Sequence, residues 1–584
     1  MHNTLALLRW IIVFAGIFIV STNAIADSDF WWHLKTGQYI VETRSLPHTD
    51  IFSHTAYGRT WTNHEWPAQV IFYGVYRWFG FAGVSYFTAF MATAAFAVLG
   101  LVLRKNFISE GVSQTALFLG AVAVAPFMIP RPQMFYFVFW VVLVYLLELY
   151  KFGARKVVFW IPLLFFVWAN FHASMHLMVL LIALYLCSEL VVVSRPKKAW
   201  LASHRGLMAA TVIGLLVSLV NVNTTAAYTY ILKALPFNKT PTSLPVTEWG
   251  SFLKEYRFWQ AWVLLAYYAI ILGSFLLSLK KAIQAKTIKE GLVVFPFILF
   301  SLVNSKFIPL AVLLAVPFLA KNLLVRFSLS GGKTAWLTAF FILILALGYH
   351  NFLGRPLKKT YDTYFPDKAA RFVLDQKISG NMYNTYNFGG FLIWKLFPEY
   401  KIFVDGRHEM FDPDVMEDFR RMLEGDRDWE DSLTKYDVNF LFLPPREVHQ
   451  GLSESTDWVL VYFDNQAAVF VRNDAKNQKV REQFGYRTIR PFSGDNAYAS
   501  QNQEPAIREY LRSLENEPDI FKSRYDLGIL YINQGNYREA EVQLREAVRI
   551  FPQSVNSHYN LAVALEKQGK TEESQAEYRK AKTL

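Results

Sequence analysis

The chain has 584 residues, of which 53% are hydrophobic and 17% aromatic, so it is too long and too apolar to be one ordinary soluble domain. Its net charge of +12 would suit a nucleic-acid-binding protein, but its lysines and arginines cluster between apolar segments, as in the cytoplasmic loops of membrane proteins. The single cysteine, Cys187, lies inside an apolar segment, which excludes a disulfide framework and a cysteine-based zinc site.

The first apolar segment runs from about residue 10 to 26 and ends in Ala24-Ile25-Ala26, which resembles a signal-peptidase site. Cleavage there would leave Asp27 at the new N-terminus. Retention as a membrane anchor is favoured, because Arg9 is the only basic residue before the segment and ten further apolar segments follow. In both cases Asp27 emerges on the outer side.

A polar loop at 27–66 follows this segment and contains five acidic residues and four histidines among eight aromatic residues. Ionisable groups close to lipid are costly to keep, so such a loop between membrane segments indicates a functional site. The alternative is an ordinary outer loop with interfacial aromatic anchors. Residues 67–79 are expected to form an amphipathic helix at the membrane interface.

Eleven segments in all are predicted to cross the membrane. They are 10–26, 81–103, 113–129, 133–150, 157–171, 174–193, 207–222, 260–279, 291–303, 307–325 and 335–352. Every even-numbered segment ends in a basic loop. The positive-inside rule therefore predicts a protein of the cytoplasmic (inner) membrane with a cytoplasmic N-terminus and an extracytoplasmic C-terminal region.

This orientation brings a set of polar residues from five parts of the chain to the outer side, where they are predicted to line one cavity. The set is Asp27, Asp29, His33, His64, Glu65, Arg131, Gln133, Asn170, His172, His176, Glu248 and Lys306. Taken alone, Arg131 or Lys306 would be an interfacial anchor, and His172 a packing residue. The four-residue spacing of His172 and His176 also occurs in metal-binding helices, although no HExxH motif accompanies it.

The chemistry of this set favours a phosphate-linked substrate. Asp27 and Asp29 can hold a divalent cation such as Mg²⁺ or Mn²⁺ against phosphate oxygens, or one of them can act as a general base. Arg131, Lys306 and the histidines can neutralise a phosphate leaving group. No phosphate-binding glycine loop occurs in the sequence, so nothing indicates nucleotide hydrolysis.

Residues 356–475 are predicted to form a small α/β domain outside the membrane, because short strands alternate with helices. The predicted strands are 381–386, 401–405, 438–444, 458–464 and 466–472, and the predicted helices are 388–397, 413–424 and 429–435. Asp405-Gly406-Arg407 lies at the end of a predicted strand and is either a ligand site or a turn with a local ion pair; the turn is favoured. Residues 476–502 are expected to be a linker.

Residues 503–584 repeat with a period of 34 residues and match the tetratricopeptide pattern. The matching positions include Leu527-Gly528, Gly535 and Pro552 in one unit, and Leu561-Ala562 and Gly569 in the next. The concave face of such helical hairpins most often binds a peptide or a protein partner. The repeats can equally be a structural cap on the α/β domain.

The acidic motif Asp27-Ser28-Asp29 directly after the first segment, followed by the loop to Trp66 and an amphipathic helix, resembles the GT-C superfamily of membrane glycosyltransferases. The resemblance covers residues 1–355, and membrane segments combined with tetratricopeptide repeats are similar to the eukaryotic O-mannosyltransferases that carry such repeats. The WWD signature of oligosaccharyltransferases is missing from the sequence. The implied fold is a polytopic α-helical membrane domain followed by the α/β domain and the repeats.

The resemblance implies an inverting enzyme that transfers a sugar from a polyprenyl-phosphate donor to a glycan or protein acceptor on the outer face of the membrane. The implied catalytic residues are Asp27, Asp29 and Glu65, with Asp27 and Asp29 also as possible metal ligands. Donor-phosphate binding is assigned to Arg131, Lys306, His33 and His64, and the pocket to Gln133, Asn170, His172, His176 and Glu248. The alternatives are an O-antigen ligase or polymerase and a non-enzymatic scaffold that displays the repeats.

Overall fold

The computed structural model describes residues 2–192, 196–226, 228–229, 264–273, 276, 288–322, 332–352, 365–492 and 503–584. The chain divides into two compact units. The first contains Met1–Thr49 and Thr60–Tyr361, and the second contains Asp50–Arg59 and Asp362–Leu584. Ten residues of the acidic loop therefore belong to the second unit, whereas the sequence placed the whole loop in the membrane domain.

The first unit is built from helices in its described parts. They are α1 (His2–Ser21), α2 (Asp29–Thr43), α3 (Trp66–Lys105), α4 (Glu110–Val124), α5 (Gln133–Lys151), α6 (Trp160–Phe171), α7 (His176–Val192), α8 (Lys197–Val217), α9 (Leu264–Gly273), α10 (Ile288–Val303), α11 (Ile308–Asn322) and α12 (Gly332–Phe352). Each of the eleven predicted segments overlaps one of these helices. Helix α2, inside the acidic loop, was not predicted.

Seven candidate membrane spans are long and apolar enough to cross a bilayer in the described part of the chain, which makes this a multi-pass membrane protein. Other helices of the unit are shorter than the ~20 residues that a 30 Å hydrocarbon layer requires. Helix α6 has 12 residues and helix α10 has 16. The number of eleven crossings therefore stays a prediction.

Gly80 divides helix α3 into the two parts that the sequence predicted, an interfacial stretch and a membrane segment. Its backbone angles are φ 62° and ψ −165°, which no helix contains. Just before it, Trp78 and Phe79 are 80% and 72% exposed. Large aromatic side chains in this position suit the bilayer interface.

Helix α11 lies in the core of the first unit and is joined to helix α5 by a hydrogen bond. All residues from 308 to 320 are buried. The indole Nε1 of Trp140 in α5 donates a hydrogen bond to the carbonyl oxygen of Leu310 at 3.2 Å. Arg131, just before α5, and Lys306, just before α11, both act through their charge on Glu65, so they lie at the same end of the unit.

The second unit contains a four-stranded sheet in the order β1-β2-β4-β3. The strands are β1 (Asn381–Asn384), β2 (Val438–Leu443), β3 (Trp458–Phe463) and β4 (Ala468–Arg472). Strand β1 pairs with β2 in parallel, and the other two pairs are antiparallel. Around them lie α13 (Asp367–Asp375), α14 (Tyr386–Leu396), α15 (Pro413–Glu424), α16 (Trp429–Lys435), α17 (Gln450–Glu454) and α18 (Gln478–Phe484). Helix α18 occupies part of the stretch expected to be a linker.

The predicted strand at 401–405 is wrong, because this segment pairs with the tip of the acidic loop rather than with the sheet. Ile402 and Ser53 form an isolated parallel bridge. Arg407 is the anchor of this arrangement: its Nη1 lies 2.7 Å from Asp50 Oδ1 and its Nη2 lies 2.6 Å from Asp405 Oδ2. The ion pair in the Asp405–Arg407 turn was expected; its second carboxylate, Asp50, was not.

The C-terminal helices of the second unit form hairpins of the tetratricopeptide type. They are α19 (Gln503–Asn516), α20 (Phe521–Asn533), α21 (Tyr537–Ile550), α22 (Val555–Lys567) and α23 (Thr571–Thr583). Gly528 explains the close approach of α20 and α21, because a Cβ at this position would lie 2.4 Å from Leu544 Cγ. Small residues are therefore required where these helices cross.

Candidate active site

Two acidic residues and one arginine form the first part of a polar cluster in the first unit. Arg131 Nε lies 2.7 Å from Asp27 Oδ1, and Arg131 Nη2 lies 3.0 Å from Asp29 Oδ2. The arginine side chain is only 10% exposed, and the aspartates are 11% and 22% exposed. One guanidinium thus holds two carboxylates, in the forked geometry that arginine favours.

The backbone fixes Asp27 in addition to Arg131. Its Oδ1 accepts hydrogen bonds from the backbone N–H groups of Asp29, at 2.9 Å, and Phe30, at 3.3 Å. These N–H groups open helix α2, where the helix dipole favours a negative charge. Asp27 is consequently held between a helix start and a guanidinium.

Glu65, directly before helix α3, forms the second part of the cluster with three histidines around its carboxyl group. Its Oε1 lies 3.4 Å from His172 Nε2 and 3.9 Å from His64 Nε2, and its Oε2 lies 3.8 Å from His33 Nε2. The Glu65 side chain is 13% exposed. The histidines come from α2, from the end of the acidic loop and from the α6–α7 junction.

Hydrogen bonds on the far side of the rings set the tautomers of His172 and His33. The backbone N–H of Ser174 donates to His172 Nδ1 at 3.1 Å, and the amide nitrogen of Gln69 donates to His33 Nδ1 at 3.3 Å. A ring nitrogen that accepts a hydrogen bond carries no proton, so the proton of each neutral ring is on Nε2. Both histidines therefore present an N–H group to Glu65.

His64 has the opposite arrangement. Its Nδ1 lies 3.1 Å from the carbonyl oxygen of Thr62, which can only accept, so Nδ1 carries the proton. In the neutral ring, Nε2 then presents its lone pair towards Glu65. Glu65 thus faces two N–H donors and one proton acceptor.

Burial raises the pKa of Glu65 to about 7, against the lowering influence of the positive charges of Arg131 and Lys306. Burial also lowers the pKa of His172 well below its usual value, and His64, Lys306 and His176 act in the same direction. Glu65 therefore changes its protonation state near neutral pH, where a general acid or base works best.

The other predicted site residues differ in their relation to this cluster. Lys306 acts on both Glu65 and His172 through its charge. Asn170 does not join the cluster, because its amide donates to the carbonyl oxygens of Phe166 and Val220. Gln133 is the first residue of α5, directly after the Arg131-Pro132 turn. Glu248 lies outside the described residues.

His172 and His176, which have the four-residue spacing of metal-binding helices, do not lie on one helix. Helix α6 ends at Phe171, His172 has an extended backbone with φ −168°, and a short 3₁₀ turn, Ala173–Met175, separates it from α7. The four-residue spacing consequently spans a break. His172 turns to Glu65, while His176 begins the next helix.

Sequence reasoning missed the residues that orient the histidines. Gln69 is fully buried, and its Oε1 accepts a hydrogen bond from Asn63 Nδ2 at 2.9 Å, which fixes the amide direction that His33 requires. Ser174 Oγ lies 2.8 Å from His172 Nδ1 and accepts a hydrogen bond from Trp168 Nε1 at 3.0 Å. In the sequence, the available signal for these residues was a polar side chain, Gln69, within the predicted amphipathic helix.

The expected divalent cation finds no fitting ligand set in the described residues, which contain no group of three or more histidine, cysteine, aspartate or glutamate side chains at metal-binding distances. Arg131 occupies the space between the two aspartates, and Asp27 Oδ1 already accepts from three donors.

A tetratricopeptide-repeat family model, TPR_16, matches residues 494–554 and 525–584, so the predicted repeats are confirmed. No curated protein matches the chain.

Solved structures similar to this chain include the oligosaccharyltransferase AglB from Archaeoglobus fulgidus in complex with an inhibitory peptide and a dolichol-phosphate. Its TM-score is 0.52 at 10% identity, and the match covers 90% of this chain and 86% of that one. The A. fulgidus oligosaccharyltransferase in complex with Zn and sulfate has a TM-score of 0.50 at 9% identity, covering 92% and 86%. ArnT from Cupriavidus metallidurans bound to undecaprenyl phosphate has a TM-score of 0.48 at 13% identity, covering 81% and 98%.

At such low identity the likeness to AglB concerns the fold alone. The match to AglB extends over nearly the whole chain, so it includes both the helical first unit and the second unit. A fold of the kind that the resemblance implied is therefore shared with AglB.

Proposed function

We propose that this protein is an integral membrane glycosyltransferase that transfers a sugar from a polyprenyl-phosphate donor to a glycan or protein acceptor. The observation that carries the proposal is the cluster of Asp27, Asp29, Arg131 and the histidine-ringed Glu65 within a GT-C-type fold. Following the positive-inside rule, we propose that the cluster faces the outer side of the cytoplasmic membrane. A lipid-linked donor can reach it there while its polyprenyl chain stays in the bilayer.

The donor phosphate is proposed to bind at Arg131 and Lys306. Arg131 has five N–H groups in a planar fork that suits phosphate oxygens, and Asp27 and Asp29 hold this fork in one orientation. Lys306 adds a second positive charge at the same end of the unit. Charges placed in advance around the leaving phosphate stabilise the negative charge that develops when the sugar–phosphate bond breaks.

Glu65 is proposed to accept the proton of the acceptor hydroxyl. As the acceptor oxygen forms its bond to the sugar C1, the C1–phosphate oxygen bond breaks and polyprenyl phosphate leaves with the electron pair. The acceptor proton passes to a Glu65 carboxylate oxygen. Asp27 suits this role less well, because its Oδ1 already accepts from Arg131 and two backbone N–H groups; Asp27 and Asp29 instead position Arg131.

A strain in which the gene is deleted and replaced by variants tests this function. Glu65→Gln keeps the shape of the side chain but removes its basicity, and loss of a general base typically lowers the rate by about 10²–10⁴-fold. Glu42→Gln is the matched control, since Glu42 lies in the same loop but contacts Gln38 and Tyr73.

Mass spectrometry of surface glycans and glycoproteins is the measurement. We expect one glycan to disappear in the deletion strain and in the Glu65→Gln strain, and to return with wild type and with Glu42→Gln. A complete set of glycans in the Glu65→Gln strain would contradict the proposal and favour a scaffold role for the protein.

A further inference from the structure

A second polar cluster lies at the far ends of the helices that hold the candidate active site. Helix α5 begins beside Arg131 and ends at Lys151, and helix α11 begins beside Lys306 and ends just after Lys321. With 19 residues, α5 is ~28 Å long. Two charged sites are therefore separated by roughly the hydrocarbon thickness of a bilayer.

The ends of five helices surround a cleft at this second cluster. Its empty volume is about 680 Å³, including its opening to solvent, which is in the size range of ligand pockets. The inner walls are apolar and include Val144, Leu147, Leu181 and Leu314. Six charged side chains also line it: Glu148, Lys151, Glu189, Lys289, Glu290 and Lys321.

These six side chains form ion pairs with one another. Lys151 Nζ lies 3.1 Å from Glu148 Oε1 and 3.0 Å from Glu290 Oε1. Lys321 Nζ bridges the same two carboxylates, at 3.5 Å from Glu148 and 3.0 Å from Glu290, and Lys289 Nζ lies 2.5 Å from Glu189 Oε1. All six are 12% to 25% exposed, so a ligand can reach them.

These ion pairs leave both lysine N–H donors and glutamate oxygen acceptors available to a ligand. An ammonium group has three N–H donors. Within the described part of the chain, Lys151 donates two hydrogen bonds, and Lys321 and Lys289 donate one each. On the other side, every one of these contacts to Glu148, Glu189 and Glu290 uses Oε1 alone. Donors for an anion and acceptors for a cation therefore line the same cleft.

We propose that this cleft binds a phospholipid with a zwitterionic aminophosphate headgroup. The phosphate accepts hydrogen bonds from the lysines, the ammonium donates to the glutamate Oε2 atoms, and an acyl chain lies along the apolar wall. An anionic lipid fits less well, because three carboxylates oppose a net negative charge. Free phosphate also fits less well, because it has no acyl chain to cover the apolar wall of the cleft. The site is separate from the residues proposed to react, and the proposal does not depend on the glycosyltransferase function.

The proposal is tested by measuring which lipid the full-length protein retains after purification in detergent. The protein is exchanged into micelles containing equal amounts of phosphatidylethanolamine and phosphatidylglycerol, and retained lipid is counted by native mass spectrometry. We expect wild type to retain phosphatidylethanolamine in preference. Lys321→Gln should lower that retention by about fivefold, the ratio that corresponds to one lysine–lipid contact.

Two further variants make the result specific. Arg104→Gln is the control, since Arg104 is an exposed basic residue in the last turn of α3 and does not line the cleft. Val144→Phe fills the apolar wall while all six charges remain, so it should lower retention without disturbing the ion pairs.

Equal retention of both lipids, or wild-type retention in both Lys321→Gln and Val144→Phe, would overturn the proposal. A rise in melting temperature with inorganic phosphate alone, equal to that with phosphatidylethanolamine, would identify a phosphate site instead and would also overturn it. Gel filtration of each variant separates loss of lipid from loss of folding.

Discussion

Glu65 and Asp27 are both carboxylates of the acidic loop, but different groups surround their oxygen atoms. Asp27 accepts hydrogen bonds from a guanidinium and two backbone N–H groups, which hold it in a structural position. Around the Glu65 carboxyl group lie three histidine ring nitrogens, at 3.4 to 3.9 Å, and the charges of Arg131 and Lys306 also act on it. Two carboxyl groups with such different surroundings suit different chemical roles.

The pH dependence of transfer follows from the raised pKa of Glu65. A base must be deprotonated to act, and burial raises the Glu65 pKa to about 7 from a usual value near 4.5. The rate kcat/KM should therefore rise with pH and reach half its plateau near pH 7, rather than being constant above pH 5. Steady-state rates between pH 5 and 9 check this; a rate that is flat across that range would contradict the role of Glu65.

Arg131 provides a second prediction at the scale of one residue. Arg131→Lys keeps a positive charge but loses the forked contact with Asp27 and Asp29, whereas Arg131→Ala loses both. We expect the alanine variant to lower kcat/KM more than the lysine variant, mainly through weaker donor binding. Titration with the lipid donor measures this, and unchanged activity in Arg131→Ala would reduce Arg131 to a membrane-interface anchor.

Arg407 should be essential for the stability of the second unit. It is 1% exposed and lies between Asp50 and Asp405, which are fully buried. Arg407→Met would leave two buried carboxylates without their partner and lower the free energy of unfolding by about 3–5 kcal/mol.

Arg446→Met is the control for Arg407→Met, because Arg446 is 77% exposed and pairs only loosely with Glu447. Such a surface pair contributes ~0–1 kcal/mol. Trypsin resistance and the melting temperature of the full-length protein measure the difference. Equal stability of the two variants would show that the buried ion pairs contribute no more than a surface pair.

At the scale of elements, Gly80 and Gly74 form a natural comparison within helix α3. A Cβ would meet no atom within 4 Å at either position, but only Gly80 has a positive φ, of 62°. Its angles lie in a region that is essentially restricted to glycine, where other residues cost about 1–3 kcal/mol. Gly80→Ala should therefore destabilise the protein, while Gly74→Ala should be neutral or slightly stabilising. Thermal unfolding in detergent tests this, and equal melting temperatures would contradict the kink.

The sequence predicts elements well where their pattern is local. Each of the eleven apolar segments overlaps a helix, and the four strands of the sheet fall within predicted strands. Helix α2 was missed because its polar residues and its aromatic residues indicated a loop. The strand expected at 401–405 was wrong because its partner, Ser53, lies some 350 residues earlier in the chain, a pairing that no local pattern indicates.

The candidate site was also predictable from local features only in part. Residue types and a shared membrane side were sufficient to group Glu65 with His33, His64 and His172. The contact of Arg131 with the two aspartates 102 and 104 residues away was not predictable, because it depends on how α2 and α5 pack. It supports our proposal that the aspartates position the arginine, rather than acting as base or metal ligand.

At the scale of the whole molecule, the repeats are a separate module from the proposed chemistry. The proposed reacting residues belong to the first unit, whereas the repeats belong to the second. Apolar residues of α21 and α22 pack against each other in a small core that includes Leu544, Leu561 and Leu565. We propose that the concave face of these repeats presents an acceptor or a protein partner.

Deletion of residues 521–584 should therefore leave donor binding intact and impair transfer to the native acceptor. Donor hydrolysis and acceptor transfer, measured side by side on the truncated protein, test this. If both remain at the wild-type level in an intact protein, the repeats do not present the acceptor. If the trypsin resistance of residues 365–492 falls instead, the repeats are a cap on the sheet.

Release of polyprenyl phosphate by the purified full-length protein in nanodiscs is the most direct test of the proposed sugar transfer. A panel of undecaprenyl-phosphate sugars serves as donors, with a membrane extract as the source of acceptor, and the released lipid is quantified by mass spectrometry. We expect at least one donor to yield undecaprenyl phosphate with wild type and with Glu42→Gln, and a loss of about 10²-fold or more with Glu65→Gln. Release at the same rate from wild type and Glu65→Gln, or no release from any donor by a folded wild-type protein, would contradict the account.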